Sequence, residues 1–274
     1  MNNKLKFVSL LAGVLVLPVC GAVYAEAAPE HTFTANVSLT NNYIFRGLTQ
    51  TWDKAALQGG ADYAHAAGWY AGVWGSTVSG NEYPGGSGLE LDYYGGYNGK
   101  FTEDFGWTAG LYGYYYPGAN YNKAAAPGAD QTFDNLEWNV GVSYKWLSVK
   151  LSSSLTDYFG ANAKTGYTSG SKGSTYFDAT ATIPLTDDLA LALHYGRTDV
   201  KANLNGPTVG GSRNPDYSDY KLALTKTYKD GWNIGAAYAY AGNGAYYDRT
   251  ASFANSETKN LGGGHWLVSA GRTF

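Results

Sequence analysis

The stretch LEWNVGVSYKWLSVKLSS, residues 136–153, carries the signal on which the fold turns. Leu136, Trp138, Val140, Val142 and Tyr144 alternate with Glu137, Asn139, Gly141, Ser143 and Lys145. Alternation with period two places apolar side chains on one face of a strand and polar ones on the other. The Lys145-Trp146 corner is short, and a second segment follows it at once. The pattern predicts two half-polar strands joined as a tight hairpin.

The same rule recurs outward in both directions. Phe33, Ala35, Val37 and Leu39 alternate with Thr34, Asn36, Ser38 and Thr40, and Leu89, Leu91 and Tyr93 with Glu90, Asp92 and Tyr94. Twelve such segments are expected, near 33–45, 55–65, 69–78, 88–99, 106–116, 133–145, 147–158, 174–185, 189–198, 217–228, 232–241 and 264–274. Each has the length of a membrane-crossing strand. The connections between them alternate strictly in length. Short ones fall at 66–68, 100–105, 145–146, 186–188 and 229–231, and long ones near 46–54, 79–87, 117–132, 159–173, 199–216 and 242–263. A sandwich has no reason to sort its loops this way. The expected fold is therefore all-β: a transmembrane antiparallel barrel of twelve strands, with short periplasmic turns and long extracellular loops.

Composition agrees. The chain has 25 Tyr, 8 Trp, 10 Phe and 37 Gly in 274 residues, and only 15% is charged. Aromatics favour strands and Gly favours turns. The formal net charge is −3 and there is no basic run, which argues against a nucleic-acid partner. Large aromatics on the apolar face gather near strand ends. Phe33, Tyr63, Trp69, Tyr97, Trp107, Tyr144, Trp232 and Phe274 fall near the short turns. Tyr43, Tyr115, Trp138, Phe177, Tyr195, Tyr220, Tyr240 and Trp266 fall near the long loops. Two such girdles around an aliphatic belt are the interfacial signature of a membrane barrel, with outer-membrane lipid as its surroundings.

Residues 1–25 read as a secretion signal. Lys4 and Lys6 form its basic start, Phe7 to Val19 its apolar stretch, and Val23-Tyr24-Ala25 its cleavage site. The expected mature barrel is then 26–274. Cys20 is the only cysteine, so thiolate metal sites and disulfides are not expected in the mature chain. The closing aromatic, Phe274, is the feature expected to engage the barrel-assembly machinery.

The stretch NNYIFRGLTQTWDKAALQGGADYAHAAGWYAGVWGS, residues 41–76, resembles the TorF-type porin family of proteobacteria. GLELDYYGGYNG (88–99), GLYGYYYPG (110–118), STYFDATATIPL (174–185) and SDYKLALTKTY (218–228) continue the likeness. The resemblance implies an outer-membrane barrel with channel activity and no known substrate or catalytic residue.

If the apolar face meets lipid, the polar face lines a lumen. The residues expected there are Arg46, Asp62, Glu90, Asp92, Tyr112, Tyr114, Glu137, Lys150, Asp178, His194, Asp219 and Lys221, with Lys145, Tyr94 and Tyr116 beside them. The acidic excess would lean toward cations. Glu90, Asp92 and Asp62 could bind a cation, with a hydrated wall as the alternative. The tyrosines at 112–116 could form a stacking track for sugars or aromatic solutes, or simply pack at the rim. Twelve strands give a backbone radius of roughly 11–12 Å, too narrow for a general sieve. The expected function is passive passage of small polar or ionic solutes, with no cofactor and no catalysis. The rival readings are a plugged barrel anchoring surface-binding loops and an outer-membrane lipid hydrolase. His31, His65, His194 and His265 are the only histidines, and no nucleophile elbow or metal-ligand spacing accompanies them.

Overall fold

The computed structural model describes residues 29–125, 128–205 and 214–274. The segment expected to be a secretion signal lies outside them. Twelve strands close into one antiparallel barrel. They are β1 (His31–Thr40), β2 (Ala56–His65), β3 (Trp69–Thr77), β4 (Leu89–Lys100), β5 (Phe105–Tyr115) and β6 (Asn135–Tyr144). The second half is β7 (Leu147–Ser154), β8 (Thr175–Pro184), β9 (Leu189–Asp199), β10 (Tyr217–Thr227), β11 (Trp232–Ala241) and β12 (Gly263–Thr273). Each strand pairs with its sequence neighbours, and β1 closes the ring on β12 from Asn36↔Thr273 to Thr40↔Ser269. Phe274 extends that seam by donating its N–H to the Ala35 carbonyl at 2.8 Å. Closure satisfies every strand edge.

Burial is inverted relative to a water-soluble sandwich. On β4, Leu89, Leu91 and Tyr93 are exposed, whereas Glu90 and Asp92 between them are 0% and 4% exposed. The outward face carries Val73, Val140, Leu222, Leu224 and Val268 at mid-strand. Phe33, Trp69, Tyr144, Trp232 and Phe274 stand exposed toward the short-turn end, and Tyr115, Tyr220, Tyr240 and Trp266 toward the long-loop end. The two aromatic bands read from the sequence are thus on one continuous surface.

Three expectations change. The first strand ends at Thr40, not near 45. Asn41 is the reason: its Nδ2 donates to the Trp266 carbonyl (3.0 Å) and its Oδ1 accepts from the Val268 N–H (2.8 Å). A side chain thereby completes the ladder to β12 while the backbone turns into the barrel. Tyr43 consequently leaves the outer girdle and is buried inside, 4% exposed. Lys145 is not lumenal either. With φ +52° it makes the two-residue corner between β6 and β7, and its ammonium faces Asp104 at 3.8 Å in the adjacent turn.

Candidate lumenal site

The segment between β1 and β2 folds into the barrel mouth as a small hairpin. Ile44–Phe45 pairs with Leu48–Thr49, leaving Arg46 and Gly47 as a two-residue turn with φ +46° and +79°. Two positive φ angles define the turn type whose twist suits a hairpin, normally filled by Asn-Gly. Arginine in this conformation costs about 1–2 kcal/mol. Gly47 is required twice over: a Cβ there would lie 2.5 Å from Asp219 Cβ and 2.9 Å from Ala241 Cβ. The hairpin therefore crosses the mouth and rests its tip on β10 and β11. Its base is held by Asn42, whose Oδ1 accepts from Thr49 (2.7 Å) and Thr51 (2.9 Å) and whose Nδ2 donates to Asp53 (2.7 Å). Asp53 in turn meets Lys259 at 2.7 Å and His265 at 3.1 Å.

Arg46 projects from the tip into the lumen. Nη2 donates to Glu137 Oε2 at 2.7 Å and Nη1 to Oε1 at 3.1 Å, a two-pronged pair with side chains 6% and 3% exposed. The guanidinium also lies 4.2 Å from the Tyr176 ring centre, and Nη1 donates to the Tyr158 hydroxyl at 3.2 Å. Burial is the largest single influence on Arg46 and would lower its pKa, but the charge and hydrogen bond of Glu137, with the Tyr158 and Tyr114 phenols, together hold it above the ordinary value. Burial, then Glu90, pushes the Tyr43 phenol well up, so it is a neutral donor to Glu90 at 3.1 Å. Above the hairpin the long loops bring a ring cluster together. Tyr83 stacks on Tyr116 at 4.2 Å, Tyr121 on Phe133 at 4.1 Å, and Phe45 packs edgewise on Tyr114 and Phe159. Tyr83 also hydrogen-bonds Gln50, tying this cap to the hairpin.

Below the hairpin lies a cavity of about 320 Å³. Its lining includes Arg46, Asp62, Asp92, Tyr112, Tyr114, Glu137, Lys150, Asp178, His194, Asp219 and Lys221. Glu90 points inward but does not line the cavity; Tyr43, which does, covers it, and one of its oxygens has no partner, so it is no part of a hydrated wall. Tyr94 donates to Asp62 at 2.5 Å and Tyr112 to Asp92 at 2.7 Å, and the two rings stack at 5.1 Å. Tyr94 reaches from β4 to β2 because β3 has Gly72 between them, where a Cβ would lie 2.7 Å from Asp62 Oδ1. His194 stands between Asp219 (Nε2, 3.0 Å) and Asp178 (Nδ1, 3.6 Å), with Thr180 Oγ1 2.9 Å from Nδ1.

The order Asp219, His194, Thr180 has the outline of a hydrolase triad. The chemistry does not follow. Thr180 Oγ1 is also 3.1 Å from Asp178 Oδ1, which competes for its hydrogen and opposes a developing alkoxide. The site suits polar contact with water and small solutes. One juxtaposition escapes any reading of spacing along the chain: His31 and His65 are cross-strand partners and, with Glu30, bring ligand atoms within 4.8 Å of one another at the short-turn end. His65 Nδ1 is already occupied by the Ala67 N–H at 3.0 Å.

The chain belongs to the family described as bacterial protein of unknown function (Gcw_chp), whose model matches residues 24–274. No curated protein matches it. Among solved structures it is similar to the KdgM porin, at 9% identity and a TM-score of 0.51, over 88% of this chain and 99% of that one. It is similar to the KdgM porin in complex with disordered oligogalacturonate, at 7% identity and 0.51, over 89% and 99%. It is also similar to the NanC porin, at 10% identity and 0.51, over 88% and 99%. At these identities the likeness is one of fold.

Proposed function

We propose that the chain is an outer-membrane channel for passive passage of small polar or charged solutes, working without cofactor or catalysis. The observation that carries this reading is the polar cavity of about 320 Å³ inside a closed barrel whose outward face is apolar. A barrel meant only as an anchor has no need of a lumen lined by separated charges. The hairpin at 41–55 is the constriction, and the TorF-type resemblance belongs to this same reading. The porin folds it resembles support the assignment, as does the poor geometry of the His194 cluster for hydrolysis.

The test is single-channel recording of the refolded mature chain in a planar bilayer. Small discrete steps are expected. Silence from protein that still migrates as a heat-modifiable folded barrel would overturn the reading. The second reading, a plugged barrel presenting its loops, would then stand, favoured by the aromatic cap over the hairpin.

The bilayer setting has its own test. Leu222 lies mid-strand on β10 and is 49% exposed, on the outward face. Leu222→Arg should destabilise the barrel by about 2–4 kcal/mol in lipid vesicles. Urea unfolding of vesicle-inserted protein measures it. An unchanged midpoint would mean that this face does not meet hydrocarbon.

A further inference from the structure

Arg197 on β9, Lys226 on β10 and Arg272 on β12 stand on the outward face, each in step with exposed apolar residues of its own strand: Tyr195, Leu224 and Val268. Two of the three charges are matched beside the strand. Arg197 pairs with Asp199 at 2.7 Å, and Lys226 with Asp188 at 2.5 Å. Arg272 differs. Among the described residues no carboxylate lies within ion-pair distance of it. Its hydrogen bond to those residues runs from Nε to the Asp230 carbonyl at 3.3 Å. Both Nη groups are left without an acceptor there. A guanidinium carries five N–H donors and does not lose its charge, so four donors remain to be satisfied.

Two aromatic rings fix where this charge sits. Trp232 on β11 is the direct cross-strand partner of Arg272, and the guanidinium carbon lies 5.5 Å from its ring centre and 4.8 Å from that of Phe274. Both rings belong to the outward band at the short-turn end, 51% and 64% exposed. Such a band lies at the level of the lipid headgroups. Stacking over rings engages the flat faces of a guanidinium and leaves the donors on its edge free. The neighbouring turn carries Lys229 and Asp230, whose opposite charges leave the local balance positive through Arg272. At headgroup depth the anion that matches a planar pair of N–H donors is a phosphate, which accepts on two oxygens at once. We propose that Arg272, held by Trp232 and Phe274, is a binding site for the headgroup phosphate of a phospholipid in the leaflet at the short-turn end. The site needs the outward face to meet lipid, and it holds whether or not the lumen conducts.

The test compares urea unfolding of residues 26–274 with that of Arg272→Gln in two kinds of vesicle with matched acyl chains. One is phosphatidylcholine, and the other is digalactosyldiacylglycerol, which has no phosphate. A role confined to the two rings and the Asp230 carbonyl would make the substitution equally costly in both. The phosphate site instead predicts that Arg272→Gln raises the unfolding constant about three- to tenfold more in phosphatidylcholine than in the galactolipid. Equal effects in the two lipids would overturn the inference. Inorganic phosphate added to the galactolipid vesicles should leave the two proteins as they were. Phosphate that reproduces the whole wild-type advantage would overturn the assignment to lipid, since the site would then take the free ion. If Arg272→Gln does not fold, the wild-type chain labelled with [15N]arginine gives the answer. Its five arginines make a sparse side-chain spectrum, in which the Arg272 Nε–H signal is the one missing from Arg272→Lys. That signal should move between maltoside and phosphocholine micelles of equal chain length. A signal at the same position in both would overturn the proposal.

Discussion

Replacing Arg46 by Ala is expected to open the barrel mouth. The substitution strips Glu137 of a two-pronged partner in a place where both side chains are at most 6% exposed. Breaking a buried ion pair on one side costs about 3–5 kcal/mol, because the remaining charge is left without compensation. Among the described residues, Glu137 then keeps one hydrogen bond, from the Asn135 amide at 3.0 Å. The cheapest relief is for the hairpin to lift and let water reach the carboxylate. A shift of that size moves a closed-to-open equilibrium by about two to four powers of ten. Single-channel records should therefore show longer openings or larger steps. Glu137→Gln should do less, since the amide oxygen still accepts from the guanidinium. Records of Arg46→Ala that match the wild type would mean that another contact holds the hairpin.

Gly47→Val should act on the same element from the other side. The valine would need φ near +79°, a region costing an L-residue about 1–2 kcal/mol and more when β-branched. Its Cβ would also meet Asp219 Cβ at 2.5 Å and Ala241 Cβ at 2.9 Å, both on the barrel wall and unable to retreat. Overlap of this kind costs about 1–3 kcal/mol further. The hairpin tip must leave β10 and β11, carrying Arg46 away from Glu137. Conductance should rise as in Arg46→Ala. Gly47→Ala should give a smaller rise of the same sign. Because both variants act on one closed state, combining Gly47→Val with Arg46→Ala should add little to either alone. A fully additive rise would separate the two contacts.

The strands were legible because period-two alternation is a local property. Leu136 to Tyr144 shows it without help from any other segment, and β6 occupies 135–144. The hairpin was not, because it is built from unlike rules. Asn41 and Asn42 stop β1 through side-chain bonds to residues as distant as Trp266, Val268 and Asp53. Tyr43 continues the alternation of Phe33 to Leu39, which points it outward, but the turn at Asn41 sends it into the barrel. The signal that could have found the turn is Arg46-Gly47 between Ile44-Phe45 and Leu48-Thr49, a two-residue connection ending in Gly. Among the lumenal groups, strand parity gave the inward direction of Asp62, Asp92, Lys150 and Lys221. It could not give Arg46 its partner Glu137, which lies 91 residues away. Nor could it show that Tyr43 screens Glu90 from the cavity, since that depends on the loop turning inward.

In the proposed channel the 41–55 hairpin narrows the lumen. The most direct measurement compares single-channel conductance of wild-type residues 26–274 with a variant whose residues 43–50 are replaced by a short Gly-Ser link, in the same bilayer and salt. Small steps from the wild type and steps several-fold larger from the variant are predicted, in keeping with the removal of a constriction. Equal steps from the two, or silence from both as folded barrels, would contradict the account.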